Sequence, residues 1–301
     1  MIYELSRENI DLAKEEVVRL AKSKQFQLFD NILVCDGKID VSRLAFTNQV
    51  FQEIFVDTKI PKINWQKYYK DNFCVRANIT AKEKELAGII WNGVKNPKVK
   101  LRNAASEFWF FFVGNKIICG KKIYEREEKF SLRRPDLRPG FFPVSLKPKL
   151  ARALVNLSGV KKGTIWDPFC GTGGILLEAR LMGLKAVGTD VDPLMIRAAR
   201  QNFVHYNLPA DVHIADARKE KITCAAIVTD PPYGRRASTK KVDIEKLYKE
   251  FLAHVYPFVD IVVLMAPNTV KIKTDYKITW QTEEYVHASL TRRILILEKT
   301  K

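Results

Sequence analysis

Directly after the short apolar run Ala225 to Thr229 the chain carries Asp230-Pro231-Pro232-Tyr233. The amino nitrogen of guanine, adenine or cytosine is a poor nucleophile because its lone pair is delocalised into the ring. A carboxylate and a backbone carbonyl that accept its two N–H hydrogens would draw the nitrogen toward a tetrahedral shape. Its lone pair could then be aimed at an electrophile such as a methyl sulfonium. Asp230 supplies the carboxylate. The consecutive prolines Pro231 and Pro232 fix the backbone and remove N–H donors, leaving the Pro231 carbonyl as a rigid acceptor. The Tyr233 ring can stack on an extruded base. The competing reading of these residues is an ordinary proline turn. This chemistry needs no metal.

A second constellation is Asp167-Pro168-Phe169-Cys170-Gly171-Thr172-Gly173-Gly174, which follows a strand and opens a helix. Its glycines let backbone N–H groups approach a nucleotide-like ligand closely. Asp190 ends the next strand about 20 residues on, where the Rossmann pattern places the carboxylate that grips ribose hydroxyls. The loop lacks the full G-x-G-x-x-G spacing and begins with Asp167, so the ligand need not be a dinucleotide; the carboxylate could meet the ammonium of a methionine moiety. The alternative is a tight turn that needs only small residues, with Asp190 a solvated strand end or helix cap and Asp192 a competing cap. Asp216, after the third strand, is a weaker signal, since Asp is common in turns.

The elements that must position these residues read most clearly after Gly159. Strands are expected at 163–166, 186–189, 212–215, 225–229 and 261–265, helices at 174–182, 194–206 and 244–255, and a closing pair of strands at 276–282 and 292–298. This alternation predicts a parallel sheet with helices on both faces, and ligands of open α/β sheets bind at the carboxyl ends of the strands. The first half reads as α+β. It has a helix at 17–22, extended segments at 25–30, 33–36, 41–46 and 53–57, and then a strand at 75–79, a helix at 83–91 and strands at 108–113 and 117–120. Pro135, Pro139, Pro143 and Pro148 mark a linker that resists helix.

At 301 residues the chain is long enough for two domains on a prior of roughly 100 to 200 residues each. The net charge of +17 favours a polyanionic partner, although a generally basic proteome would produce the same balance. Residues 92–138 hold twelve Lys or Arg against five acids, which concentrates that charge. The five cysteines are odd in number and far apart, with no C-x-x-C pair, which argues for reduced thiols and no zinc site. No run reaches the roughly 18 apolar residues of a membrane span. The first residues carry Glu4, Glu8 and Asp11 rather than a signal peptide's pattern, so a cytoplasmic protein is expected.

With these motifs in place, the chain resembles class I S-adenosylmethionine-dependent methyltransferases that bear a THUMP RNA-binding domain. Among them it is similar to the archaeal and eukaryotic tRNA guanosine N2-methyltransferases that modify position ten. DPFCGTGG at 167–174, GTDVD at 188–192 and TDPPYG at 229–234 look like that family's motifs, and RPGFFPVSLKPKLARALVNLSG at 138–159 and VHASLTRR at 286–293 narrow the match. FCVRANIT at 73–80 and the basic segment after it are similar to a THUMP domain. Phe142 stands where the family usually has a histidine before the proline.

The resemblance implies a C-terminal Rossmann-like methyltransferase domain at 151–301 with a seven-stranded, mostly parallel sheet. Ahead of it would lie a ferredoxin-like piece at 1–60, a THUMP-like domain at 61–134 and a linker at 135–150. It further implies that Asp167 to Gly174, Asp190 and Val191 hold S-adenosylmethionine, released as S-adenosylhomocysteine, with Asp216 and Ala217 near its adenine. Asp230 to Tyr233 would receive guanine N2, and the substrate would be tRNA. Some relatives work with a small zinc-binding activator protein. Two alternatives stand beside this: a DNA or ribosomal RNA amino-methyltransferase, and a non-catalytic RNA-binding protein with a degenerate methyltransferase fold. A glutamine methyltransferase usually shows N-P-P-Y rather than the Asp230 sequence.

Overall fold

Short strands with alternating or fully buried apolar residues build two seven-stranded sheets. The computed structural model describes residues 1–143, 145–234, 244–287 and 290–300. Val144, Ala288 and Ser289, which fall within the two stretches that narrow the family match, lie outside the described residues. The chain divides into two compact units, one of residues 1–10, 23–42 and 47–127, the other of residues 11–22, 43–46 and 128–301. Among the described residues no helix is long and apolar enough to cross a membrane.

The elements of the first half, in chain order, are β1 (Ile2–Leu5), α1 (Ile10–Ala21), β2 (Phe26–Phe29), β3 (Ile32–Cys35), β4 (Thr47–Asp57), β5 (Phe73–Ala77), α2 (Glu83–Asn92), β6 (Ser106–Val113) and β7 (Lys116–Glu125). The strands form one sheet in the order β2-β3-β1-β4-β7-β6-β5, to which both 1–60 and 61–134 contribute. Only the β5–β6 pair is parallel. Leu86 and Ile90 of α2 are buried in a cluster with Trp65, Phe73, Phe108 and Phe110.

Several elements differ from the sequence reading. The short β1 gave no pattern long enough to read. β4 starts six residues before Glu53, and residues 41–46, expected as extended, begin with a 3-10 turn at Val41–Arg43. α1 begins at Ile10 rather than Val17; Glu16, a charge on the buried face formed by Leu12, Ala13, Val17 and Leu20, masks the first turns of that face in the sequence. Glu16 is fully buried and accepts hydrogen bonds from the backbone N–H groups of Ala45 and Phe46 and from Asn156 Nδ2.

In the second unit follow α3 (Pro148–Leu157), β8 (Thr164–Asp167), α4 (Gly174–Leu181), β9 (Lys185–Asp190), α5 (Pro193–His205), β10 (Val212–Ile214), β11 (Ala226–Thr229), α6 (Ile244–Val255), β12 (Ile261–Pro267), β13 (Lys277–His287) and β14 (Leu290–Glu298). The sheet runs β10-β9-β8-β11-β12-β14-β13, parallel through β12 and antiparallel in the last two pairings. This is the Rossmann-like, mostly parallel arrangement that the alternation of strands and helices predicted. Within the segment read as a proline-bearing linker, Pro148 instead opens α3. A proline at the first helical turn supplies a suitable φ and lacks only an N–H that would have no partner there. The helix is held by Glu178 of α4, which is fully buried and accepts from Arg152 Nε at 2.8 Å and from Arg133 Nε at 3.0 Å.

Candidate active site

Because β9 and β11 flank β8 and run parallel to it, the last residues of β9 and β8, Asp190 and Asp167, and the residue directly after β11, Asp230, arrive at the same edge of the sheet. Asp167 is almost fully buried; its Oδ1 accepts from Thr229 Oγ1 at 2.6 Å and from the Phe169 N–H at 3.2 Å. Burial, reinforced by the neighbouring Asp230 and Asp190 carboxylates, pushes its pKa up to about 8, so near neutral pH it holds its proton. Asp230 keeps some exposure, yet the protein around it raises its pKa to about 6 against the opposing influence of Arg292 and a hydrogen bond from Tyr233.

The loop after β8 is anchored to β9. The Cys170 N–H donates to the Thr189 carbonyl at 2.9 Å, Thr189 Oγ1 donates to the Pro168 carbonyl, and Asp190 Oδ2 accepts from the Gly171 N–H at 2.9 Å. Gly171 and Gly173 have φ of +49° and +82°, the left-handed region that glycine enters without Cβ strain. Asp190 Oδ1 accepts from the Asp192 N–H at 3.0 Å, while Asp192 itself caps α5 by accepting from the Leu194 N–H at 2.8 Å. The helix-capping role that competed for Asp190 thus falls on Asp192. Burial also raises the pKa of Asp190 and of the Cys170 thiol.

Asp167, Phe169, Cys170, Gly171, Thr172, Gly174 and Asp230 line one cleft of about 100 Å³ together with Ser145, Leu146, Ile175 and Met195. A wider groove of about 770 Å³ runs along α5, lined by Pro139, Ile196, Arg200 and Ile214 among others, and includes none of the candidate cofactor or catalytic residues. The smaller cleft is the candidate site, since two of the motif carboxylates meet there. Pro168 and Gly173 support the loop without lining the cleft, and Asp190 reaches it through Gly171.

Val191 is largely exposed beside Asp190, while Ala217 is buried in the core with Trp166 and Ile227. Asp216 forms a paired contact with Arg218 at 2.7 and 3.0 Å, and that hydrogen bonding holds its pKa below the ordinary value. Pro231 is buried and Pro232 exposed. The Tyr233 hydroxyl donates to Asp230 Oδ1, and the Arg292 guanidinium lies 5.4 Å from the centre of the Tyr233 ring.

Sequence reasoning gave no individual role to three groups that the fold brings to the site. The Ser145 and Thr172 hydroxyls are 3.0 Å apart. Asn202, fully buried on α5, donates to the Gly140 and Thr172 carbonyls at 3.1 and 2.9 Å and accepts from the Gly140 N–H at 2.8 Å, tying the 138–146 segment to the glycine loop. Arg292 approaches from β14. A single polar residue on an otherwise apolar helix face was the only signal for Asn202. The donor set suits a ligand with vicinal hydroxyls and a cationic end: Asp190 keeps lone pairs beyond its backbone bonds to Gly171 and Asp192, and among the described residues no atom outside Gly171 and its two chain neighbours lies within 4 Å of where a Gly171 side chain would begin.

Comparison with known proteins agrees with this geometry. A model described as an RMKL-like methyltransferase domain matches residues 135–283. A DNA methylase model matches residues 2–201, ending before Asp230. The tRNA (guanine(10)-N2)-dimethyltransferase of Methanothermobacter thermautotrophicus is 36% identical over 87% of this chain and 85% of its own length. The protein of that name from Methanocaldococcus jannaschii is 36% identical over 77% of this chain and 69% of its own length. The crystal structure of TrmN from Thermus thermophilus shares the fold, with a TM-score of 0.51, 18% identity and 99% of both chains covered. Through its extended similarity to these relatives, the chain, a methyltransferase, belongs to the tRNA (guanine(10)-N2)-dimethyltransferase family.

Proposed function

We propose that this enzyme methylates the exocyclic N2 of guanosine at position ten of tRNA, with S-adenosylmethionine as methyl donor. The observation that carries the reading is the convergence of Asp230, at the head of D-P-P-Y, with the 167–174 loop in one cleft, in a chain whose relatives bear that activity in their names. S-adenosylmethionine supplies an electrophilic methyl group on a sulfonium and leaves as S-adenosylhomocysteine. The glycine loop and Asp190 would hold its nucleoside part, Val191, Asp216 and Ala217 its adenine surroundings, and Asp167 its methionine end. Asp230 accepts one N–H of the guanine amino group and the Pro231 carbonyl the other, which localises the nitrogen lone pair for attack. Asp230 then receives the proton that the methylated nitrogen sheds. Tyr233, displaced from Asp230 by the incoming amino group, offers its ring to the extruded base.

In the same reading, the basic segment within 61–134 acts as a THUMP-like module that binds tRNA through phosphates and shape. The ferredoxin-like piece would be residues 1–60, and 135–150 the connection to the catalytic domain at 151–301. The enzyme would work in the cytoplasm, with a small zinc-binding activator as a candidate partner. Methyl transfer from labelled S-adenosylmethionine to unmodified tRNA transcript, with and without that activator, followed by nucleoside mass spectrometry, tests it. Methylated N2-guanosine that disappears when guanosine ten is replaced is the expected result, and the mono- to dimethyl ratio defines the product. Transfer to another base or none to tRNA would refute the reading.

A further inference from the structure

Asp230 has an electrostatic problem that the D-P-P-Y motif does not solve. It must accept hydrogen bonds as a carboxylate, yet it is desolvated and shares its cleft with Asp167. Tyr233 donates to it from its own loop, and burial together with its charge raises the pKa of Tyr248 on α6 and of Glu284 on β13. Among the described residues the one cation that acts on Asp230 is Arg292.

The sheet topology explains how Arg292 arrives there. β14 is antiparallel to β12, with Leu295 opposite Leu264 and Arg292 opposite Pro267. Leu264 is also opposite Thr229, the last residue of β11. An antiparallel strand begins where its parallel neighbours end, so the first turns of β14 lie at the carboxyl edge beside Asp230. Arg292 is also paired across the sheet with Glu284, but their charged atoms are 4.0 Å apart. Neither Arg292 Nε nor Glu284 Oε2 has a hydrogen-bond partner among the described residues. The guanidinium is therefore not consumed in a bidentate pair with Glu284, and it lies 5.4 Å from the Tyr233 ring centre, the ring whose hydroxyl bonds Asp230.

We propose that Arg292 is a positioning residue for base methylation, supplying the counter-charge that keeps Asp230 an acceptor and the platform that sets the Tyr233 ring. The proposal deepens the function put forward above and rests on it. An adjacent cation favours the charged carboxylate, so its loss moves the titration of Asp230 to higher pH. Burial acts in that same upward direction.

The test uses the full chain with Arg292→Met, Arg292→Gln and Arg292→Lys. At saturating tRNA and S-adenosylmethionine, the acid limb of the kcat–pH profile should move upward by roughly one to three pH units in the Met and Gln variants. It should stay near the wild-type position in the Lys variant. An acid limb in place with only a raised KM for tRNA would overturn the proposal and make Arg292 a phosphate contact. Carboxyl-carbon NMR titration of Asp230 in aspartate-labelled protein, assigned with Asp230→Asn, reads the same displacement without turnover. An unmoved titration in the Met and Gln variants refutes the role of Arg292 even if wild-type protein methylates no tRNA, an outcome that would separately refute the proposed function.

Discussion

Asp167 and Asp230 are two carboxylates in one cleft with different electrostatic duties. Asp167, deeply buried and bonded to Thr229, keeps its proton up to a pH of about 8, whereas Asp230 ionises at about 6. Replacing Asp230 with Ala should leave cofactor affinity nearly intact in calorimetry. Turnover should fall by at least the order of 10²-fold, the usual cost of losing one preorganised polar group. Near-normal turnover would remove Asp230 from the chemistry. Asp167 also makes a prediction about stability. Its folded pKa lies above the ordinary value of about 4, so between those limits the folded chain retains a proton that the unfolded chain has lost, and stability falls as pH rises through the window. Asp167→Asn removes that contribution, so its Tm should decline less than wild type between about pH 4 and pH 8; parallel declines would assign the titration to another group.

At the scale of elements, the glycine loop depends on neighbours that lie outside its motif. Asn202 of α5 makes three hydrogen bonds to the backbone of Gly140 and Thr172 in a site closed to solvent. Asn202→Ala would leave those groups unpaired, at a cost of about 2 to 3 kcal/mol in urea denaturation. Cofactor binding should weaken as the loop loosens. Unchanged stability and affinity would mean that the loop is set by Asp190 and Thr189 alone. The glycine loop and the placing of Asp190 at the end of the next strand were legible from residue type and the spacing of about 20 residues, whereas the bond between Asp190 and the Gly171 N–H came only with the fold. The Asn202 clasp was not, because it joins segments 62 residues apart in sequence.

At the scale of the whole molecule, the two units are not consecutive halves. Residues 11–22 and 43–46 cluster with the methyltransferase unit, and Glu16 accepts a hydrogen bond from Asn156 inside it. Cutting the chain after residue 134 would therefore strip α1 from the catalytic unit and confuse RNA binding with folding. Charge reversal is the cleaner test. Lys95, Lys98, Lys100 and Arg102 are exposed, and changing them to Glu should raise the KM for tRNA and flatten its dependence on salt. The kcat and the cofactor affinity should stay unchanged, since phosphate contacts contribute binding without touching the reacting atoms. An unaltered KM would move the tRNA-binding surface elsewhere.

The alternation of short strands and helices after Gly159, the loop at 167–174 and D-P-P-Y at 230–233 were legible in the sequence because each is local. Strand length, left-handed turns and proline chemistry are written within a few residues. The start of α1 was obscured by Glu16, a charge on a buried face, and α3 by the proline that in fact opens it. Tertiary structure alone decided that Asp192 rather than Asp190 caps α5 and that Asp167 lies buried against Thr229. It also decided that β14 turns back antiparallel to bring Arg292 to Asp230. Those outcomes depend on which strands become neighbours and on the desolvation they impose, and neither is a property of any short stretch of chain.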